Sequence, residues 1–241
     1  MPDQQIYAMN QQLRVQSLKV GNEQQKILII DEVMCKPEVM VDFAVENANF
    51  YLYKKAGNFY PGIRLPPPSG YFDCLMRTIR PVLNTEYDIS DGAKVTKAEC
   101  SISLVTLKPN ELSKMQSLPH FDSVNPNQFA LLHYLCGEKH GGTAFYRNNL
   151  TGYETISRER FGHYTSSFMK DIEDNGPANL EYIVDTNERF TKISSIDVKY
   201  NRLIIYRSCL LHSGLINPAI SVDPDPRSGR LTANAFVAFE A

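Results

Sequence analysis

The chain has 241 residues, 43% of them hydrophobic and 22% charged, with a formal net charge of −2 and a pI of about 6.2. That is the composition of a globular protein with a full core, and it argues against a broad basic footprint for nucleic acid. No apolar run reaches the ~18 residues of a membrane span, and the polar segment 1–10 lacks the basic-then-apolar plan of a signal peptide, so a cytoplasmic protein with no membrane or nucleic-acid partner is expected.

Residues 1–26 are polar, with Gln at 4–5, 11–12 and 24–25, and read as a lead-in carrying one short strand. Lys26–Asp31 is an apolar run ending in acid and predicts a buried strand. Pro37 suits a first helical turn, and Val39, Met40, Phe43 and Ala44 follow at helical spacing. Residues 58–64 and Pro66-Pro67-Pro68 are turn and extended material. Tyr71 to Val82 repeats apolar residues at helical spacing, with Pro81 expected to end that helix or sit in its last turn. Residues 1–97 are thus expected to form an α/β support.

From Ala98 the pattern changes to short strands between turns. Strands are expected at Ser101–Leu107, Leu118–Asp122, Phe129–Cys136, Thr143–Tyr146, Leu180–Val184, Arg189–Ile193, Arg202–Arg207 and Leu231–Phe239, with a helical insert at about 157–174. Such a series predicts a mainly β fold with flanking helices, and ligands drawn from distant strands favour a double-stranded β-helix, the cupin-like jelly roll. We expect this core over 98–241 and one domain over 1–241. The five cysteines, Cys35, Cys74, Cys100, Cys136 and Cys209, are odd in number and lack Cys-x-x-Cys spacing, so a disulfide framework is not expected.

The chemistry gathers at Pro119-His120-Phe121-Asp122. In an extended segment the imidazole of His120 and the carboxylate of Asp122 point to one face. Two ligands are too few for a stable metal site, and His212, in Ser208–Gly214, is the candidate third. Two His and one carboxylate form the facial triad of non-haem Fe(II) oxygenases, which leaves coordination positions open, although the same ligand types also suit zinc. His133, His140 and His163 have no such context. Along the last strand Arg230, Thr232 and Asn234 share one face, and Leu231, Ala233, Ala235 and Val237 the other. A polar file inside a barrel is costly unless something pairs with it, and a carboxylate would pair with the guanidinium. Arg207 and Arg227 are the other candidates for that cation.

Taken in order, these parts resemble the Fe(II)/2-oxoglutarate-dependent oxygenases, in their prolyl 4-hydroxylase-like branch. The parts are His120-x-Asp122, Tyr134-Leu135, Gly141-Gly142 before Phe145, Leu203-Ile204-Ile205-Tyr206 leading to His212, and Gly229-Arg230-x-Thr232. The resemblance implies Fe(II) held by His120, Asp122 and His212, and 2-oxoglutarate as cosubstrate. Its distal carboxylate would be held by Arg230 with help from Thr232 and Tyr134. It implies reaction with dioxygen to give succinate, carbon dioxide and a hydroxylated small molecule or amino-acid side chain. An acidic residue at 122 favours hydroxylation, since halogenating relatives vacate that position. The segment Lys108-Pro109-Asn110 stands where relatives often carry a Tyr-Pro-Gly-like segment, so a tyrosine contact to the cosubstrate is expected to be missing there. Tyr60, Arg64 and the 157–174 insert are candidates for a lid or substrate wall. Two other readings stay open: a cupin-like metal enzyme that uses no oxo acid, and a non-catalytic β-sandwich binding module.

Overall fold

The structure is a computed structural model that describes residues 6–47, 60–176 and 179–240. Ten strands are present among them: β1 Val15–Val20, β2 Gln25–Ile30, β3 Gly62–Leu65, β4 Val95–Val105, β5 Gln128–Tyr134, β6 Thr143–Asn148, β7 Phe190–Ile196, β8 Leu203–Arg207, β9 His212–Gly214 and β10 Leu231–Phe239. The helices are α1 Glu38–Glu46, α2 Tyr71–Tyr87, α3 Arg158–Asn175 and the single turn α4 Pro218–Ser221.

Alternation decides how these strands layer. In β10, Leu231, Ala233, Ala235 and Val237 turn to one face and pack with Leu75, Ile79 and Leu83 of α2 and Met40 and Ala44 of α1. The intervening residues of the sheet, such as Ala130, Tyr134, Ile204 and Tyr206, face the opposite way and meet Phe145 and Ile196 of the second sheet. The larger sheet runs β1-β2-β8-β5-β10-β4-β3 and the smaller β7-β6-β9, all neighbours antiparallel. A single bridge pairs His120 with His212 and adds one more segment to the β9 edge of the smaller sheet. From β4 onward the chain therefore passes between sheets so that four segments, β4, β10, β5 and β8, oppose four others, the 120 segment, β9, β6 and β7. That is a double-stranded β-helix, as the sequence pattern predicts.

The N-terminal third is woven into this core. β1 and β2 extend the larger sheet beyond β8, and β3 extends it beyond β4, while α1 and α2 cover its outer face. His133, on the helix side of β5, fixes part of that cover. Its Nε2 faces Asn201 Oδ1 at 3.1 Å and its Nδ1 faces the Tyr71 hydroxyl at 2.9 Å. Asn201 Oδ1 also accepts from Met34 N, so His133 donates from Nε2 and accepts the Tyr71 proton at Nδ1. Burial holds its pKa down at about 4, a shift that the Asn201 hydrogen bond opposes.

Several expectations need correction. Pro81 lies inside α2, on its exposed side, and the helix runs on to Tyr87. The buried stripe Tyr71, Leu75, Ile79, Leu83 and Tyr87 outweighs the ~3 kcal/mol that an interior proline costs. Leu180–Val184 is not a strand; it crosses the surface irregularly with Tyr182 and Ile183 turned inward. Leu118–Asp122 forms only the one bridge. β4 starts six residues earlier than Ser101, through exposed positions with no burial pattern, because β10 pairs with it up to Val95. Residues 58–59 of the turn predicted at 58–64 lie outside the described residues. Among the described residues all five cysteines are free, and no helix is long and apolar enough to cross a membrane.

Candidate metal centre

His120 and His212 stand opposite each other across a two-way backbone bridge, with N–H···O distances of 2.9 and 2.8 Å. Mutual bonding of this kind puts both side chains on one face, and the imidazole centroids are 4.4 Å apart. Two residues on, the Asp122 N–H donates to the Ser208 carbonyl at 2.8 Å, which turns the carboxylate back towards the rings. Asp122 Oδ1 lies 3.8 Å from His120 Nε2, and Asp122 Oδ2 lies 3.7 Å from His212 Nε2. The three ligand atoms all fall within 4.8 Å of one another. The residues that the sequence singles out for metal are therefore brought together, where the 120–122 segment meets the start of β9 through one bridge.

The donor set fits a divalent cation. Asp122 Oδ2 is buried with no hydrogen-bond partner, a costly state for a carboxylate oxygen. His212 Nδ1 donates to the Leu210 carbonyl at 2.8 Å, which leaves the Nε2 lone pair facing Asp122; ligating histidines are commonly oriented in this way. Burial lowers both imidazole pKa values to about 4, with the neighbouring His212 adding to the effect at His120. Burial raises Asp122, opposed by His120 and Arg64. Two neutral imidazoles and an underpartnered carboxylate leave the site short of positive charge.

Two chambers meet at His120 and Asp122. The inner one, of about 100 Å³, is lined by His120, Asp122 and His212 at one end, and its lining also includes Thr143, Asn234 and Arg230. Arg230 is 3% exposed. Its Nη2 donates to the Gly142 carbonyl at 3.0 Å and its Nε to the Gly141 carbonyl at 3.4 Å, and its guanidinium lies 5.8 Å from the centre of the Tyr134 ring. No carboxylate pairs with it among the described residues. The Gly141-Gly142 pair is explained here. A Cβ at either position would stand within 2 Å of a backbone oxygen, Leu215 at 1.9 Å or Ile196 at 1.8 Å, so only glycines let this loop approach closely enough to present its carbonyls to Arg230.

The other expected helpers are placed differently. The Tyr134 hydroxyl is engaged with Thr143 Oγ1 at 2.7 Å, and Thr143, not Tyr134, lines the chamber. Thr232 is fully buried beside Tyr60. Asn234, its neighbour on the same face of β10, reaches the chamber with a buried, unpartnered Oδ1. Arg227 pairs with Asp42 at 3.0 Å on the surface, and Arg207 sits over the rings of Tyr87 and Phe129, so neither competes with Arg230. His133, His140 and His163 stay apart from the triad; His163 bonds the Tyr153 hydroxyl at 3.2 Å. Tyr60 and Tyr182 also line the inner chamber, and Tyr182 is anchored through its hydroxyl to the Leu107 carbonyl at 2.6 Å. The sequence did not single out Tyr182 for the site, since it lies in the segment expected as the strand Leu180–Val184, which is irregular.

The outer chamber, of about 440 Å³, opens from His120 and Asp122 between Arg64, Phe121, Tyr164, Phe168 and Phe236. The insert α3 supplies Tyr164 and Phe168 to this lining.

Residues 11–237 match the protein family described as "Family of unknown function (DUF6445)". The chain belongs to this family. No curated protein matches it. Solved structures to which the chain is similar include the non-heme alpha ketoglutarate dependent carbocyclase SnoK from nogalamycin biosynthesis, at 10% identity, 91% of this chain, 81% of that chain and a TM-score of 0.49. HygX from Streptomyces hygroscopicus, with nickel and 2-oxoglutarate bound, is similar at 11% identity, 90% and 84% coverage and a TM-score of 0.47. The viral collagen prolyl hydroxylase vCPH from Paramecium Bursaria Chlorella virus-1 is similar at 13% identity, 89% and 96% coverage and a TM-score of 0.43.

Proposed function

We propose that this protein is an Fe(II)- and 2-oxoglutarate-dependent dioxygenase that hydroxylates a small molecule or an amino-acid side chain. One observation carries the reading: a His120–Asp122–His212 triad at one end of a chamber that also holds Arg230, a buried cation that no carboxylate pairs with among the described residues. The triad asks for a divalent metal, and Arg230 asks for a carboxylate in the same chamber. A dicarboxylate that chelates the metal answers both.

When bound, Fe(II), 2-oxoglutarate and dioxygen supply oxidative decarboxylation to succinate and carbon dioxide, coupled to hydroxylation of a substrate C–H bond. The chain contributes the surroundings. His120, Asp122 and His212 hold the metal and leave positions open. Arg230 is seated by the Gly141 and Gly142 carbonyls and holds the distal carboxylate. Thr143 takes over the hydroxyl role expected of Tyr134, with Tyr134 positioning it from behind. Tyr60 lies near Arg230 and offers the tyrosine that Lys108-Pro109-Asn110 lacks. Phe121, Phe168 and Phe236 exclude water from the outer side, which strengthens every charge interaction within.

The test is succinate formation by the purified protein with Fe(II), 2-oxoglutarate and ascorbate in air. We expect slow succinate release even without substrate, abolished in Asp122→Ala. Metal binding without succinate formation would favour the cupin-like reading, and absence of metal binding would favour a binding module.

A further inference from the structure

Arg64, on β3, lines both chambers beside His120 and Asp122. Its guanidinium lies on the Tyr60 ring, 5.0 Å from its centre, and its Nε is buried without a hydrogen-bond partner. Neither of the two carboxylates that its charge feels, Asp122 and Glu99, forms an ion pair with it: Asp122 faces the imidazoles of the triad, and Glu99 pairs with Lys97 at 3.3 Å on the rim. Among the described residues Arg64 is thus a second cation without an anion of its own, distinct from Arg230 and lining the outer chamber.

The charge count sets the ligand. In the oxygenase reading Fe(II) and Arg230 balance Asp122 and the two carboxylates of 2-oxoglutarate. In the outer chamber Lys97 balances Glu99, which leaves Arg64 as one unmatched positive charge. One planar fork with a single excess charge matches a carboxylate, whereas a phosphate dianion would leave a negative charge beside the metal. Apart from Gln128 and the tyrosine hydroxyls, the rest of the chamber is apolar. Phe121 meets Phe161 and Tyr164 edge-on, at 6.2 and 6.0 Å between centroids, and Leu118, Phe168 and Phe236 complete the wall.

We propose that the outer chamber takes a carboxylate-bearing amphiphile, with its carboxylate on Arg64 and its aryl or alkyl body on the wall of Phe121, Tyr164 and Phe168. Seating the carboxylate beside His120 and Asp122 presents a C–H bond close to that carboxylate for oxidation. The inference rests on the oxygenase reading for its charge count; the placement of Arg64 does not.

Calorimetric titration under nitrogen tests it, using 3-phenylpropanoate and its neutral amide as probes of protein loaded with Mn(II) and 2-oxoglutarate. We expect the acid to bind the parent at least about tenfold more tightly than the amide, a ratio worth ~1.4 kcal/mol. Arg64→Gln should erase that preference, and Arg64→Lys, which keeps the charge but loses the fork, should restore part of it. Equal binding of acid and amide by the parent, a preference that survives in Arg64→Gln, or no binding of the acid at all would overturn the proposal. So would a tenfold loss of 2-oxoglutarate affinity in Arg64→Gln, which would give Arg64 to the cosubstrate. Failure of the oxygenase reading appears separately, as no binding of 2-oxoglutarate to the Mn(II)-loaded parent. In that event the acid and amide are compared without 2-oxoglutarate, and dependence on Arg64 decides the proposal on the same terms.

Discussion

Replacing Arg230 by Met should make the ligand-free protein more stable and at the same time blind it to 2-oxoglutarate. Met fills nearly the same volume, so no large cavity opens. The loss is the pair of hydrogen bonds to Gly142 at 3.0 Å and Gly141 at 3.4 Å, the second of them long, at roughly 1–3 kcal/mol for underpartnered buried carbonyls. The gain is removal of a cation that is 3% exposed and has no paired anion among the described residues, whose desolvation costs several kcal/mol. The gain exceeds the loss, and each kcal/mol is worth roughly 2–4 °C in a domain of this size. With 2-oxoglutarate at about 100 times its Kd, the parent should gain ~2.7 kcal/mol, or roughly 5–10 °C. Losing the charge-assisted contact weakens binding by roughly 2–5 kcal/mol, so the variant at the same concentration should gain less than ~1 kcal/mol. The assay is thermal unfolding under nitrogen with Mn(II), with and without 2-oxoglutarate. A ligand-free Arg230→Met that melts lower by more than ~1 kcal/mol would make the guanidinium a structural member. A ligand-induced shift equal to the parent's would remove the carboxylate assignment.

Further outcomes follow from the same geometry. His120→Ala, Asp122→Ala and His212→Ala should each weaken Mn(II) binding by more than the ~10–100-fold typical of outer-shell losses, read by calorimetry; parent-like affinity in any of them would break the triad. His133, whose folded pKa is about 4 against an unfolded value of ~6.5, stays neutral in the fold, so its contribution is intact above pH 6.5 and is lost as pH falls towards 4. That loss amounts to roughly 3 kcal/mol. Gln at 133 can keep both hydrogen bonds without titrating, so urea unfolding should show the gap between parent and His133→Gln changing by this amount across the window; a gap independent of pH would remove the assignment. We also expect the chain to behave as one domain, because β2 pairs with β8 and β3 with β4; a stable, independently folded 1–95 fragment on limited proteolysis would contradict this.

By itself the sequence determined the repeating parts. Period-two alternation in 231–239 assigned each residue of β10 to its face, because a pleated strand has only two sides. Helical spacing located α1, α2 and α3, and the pair His120-x-Asp122 with His212 marked the candidate metal ligands that the fold brings together. Segments without a period carried no such information. Tertiary pairing alone decided that His120 meets His212 through one isolated bridge, that β4 begins at Val95, and that α2 runs through Pro81. It also separated Arg230, which the sequence favoured, from Arg207 and Arg227, since only the fold says which of them lines the chamber with no paired carboxylate among the described residues. Arg64, Tyr60 and Tyr182 reached the site for the same reason. They come from segments remote from the triad in sequence, and their convergence exists only once β3 has paired with β4 and the irregular 179–184 segment has crossed the mouth. Local patterns fix what a strand or helix buries; long-range pairing fixes which side chains then face one another.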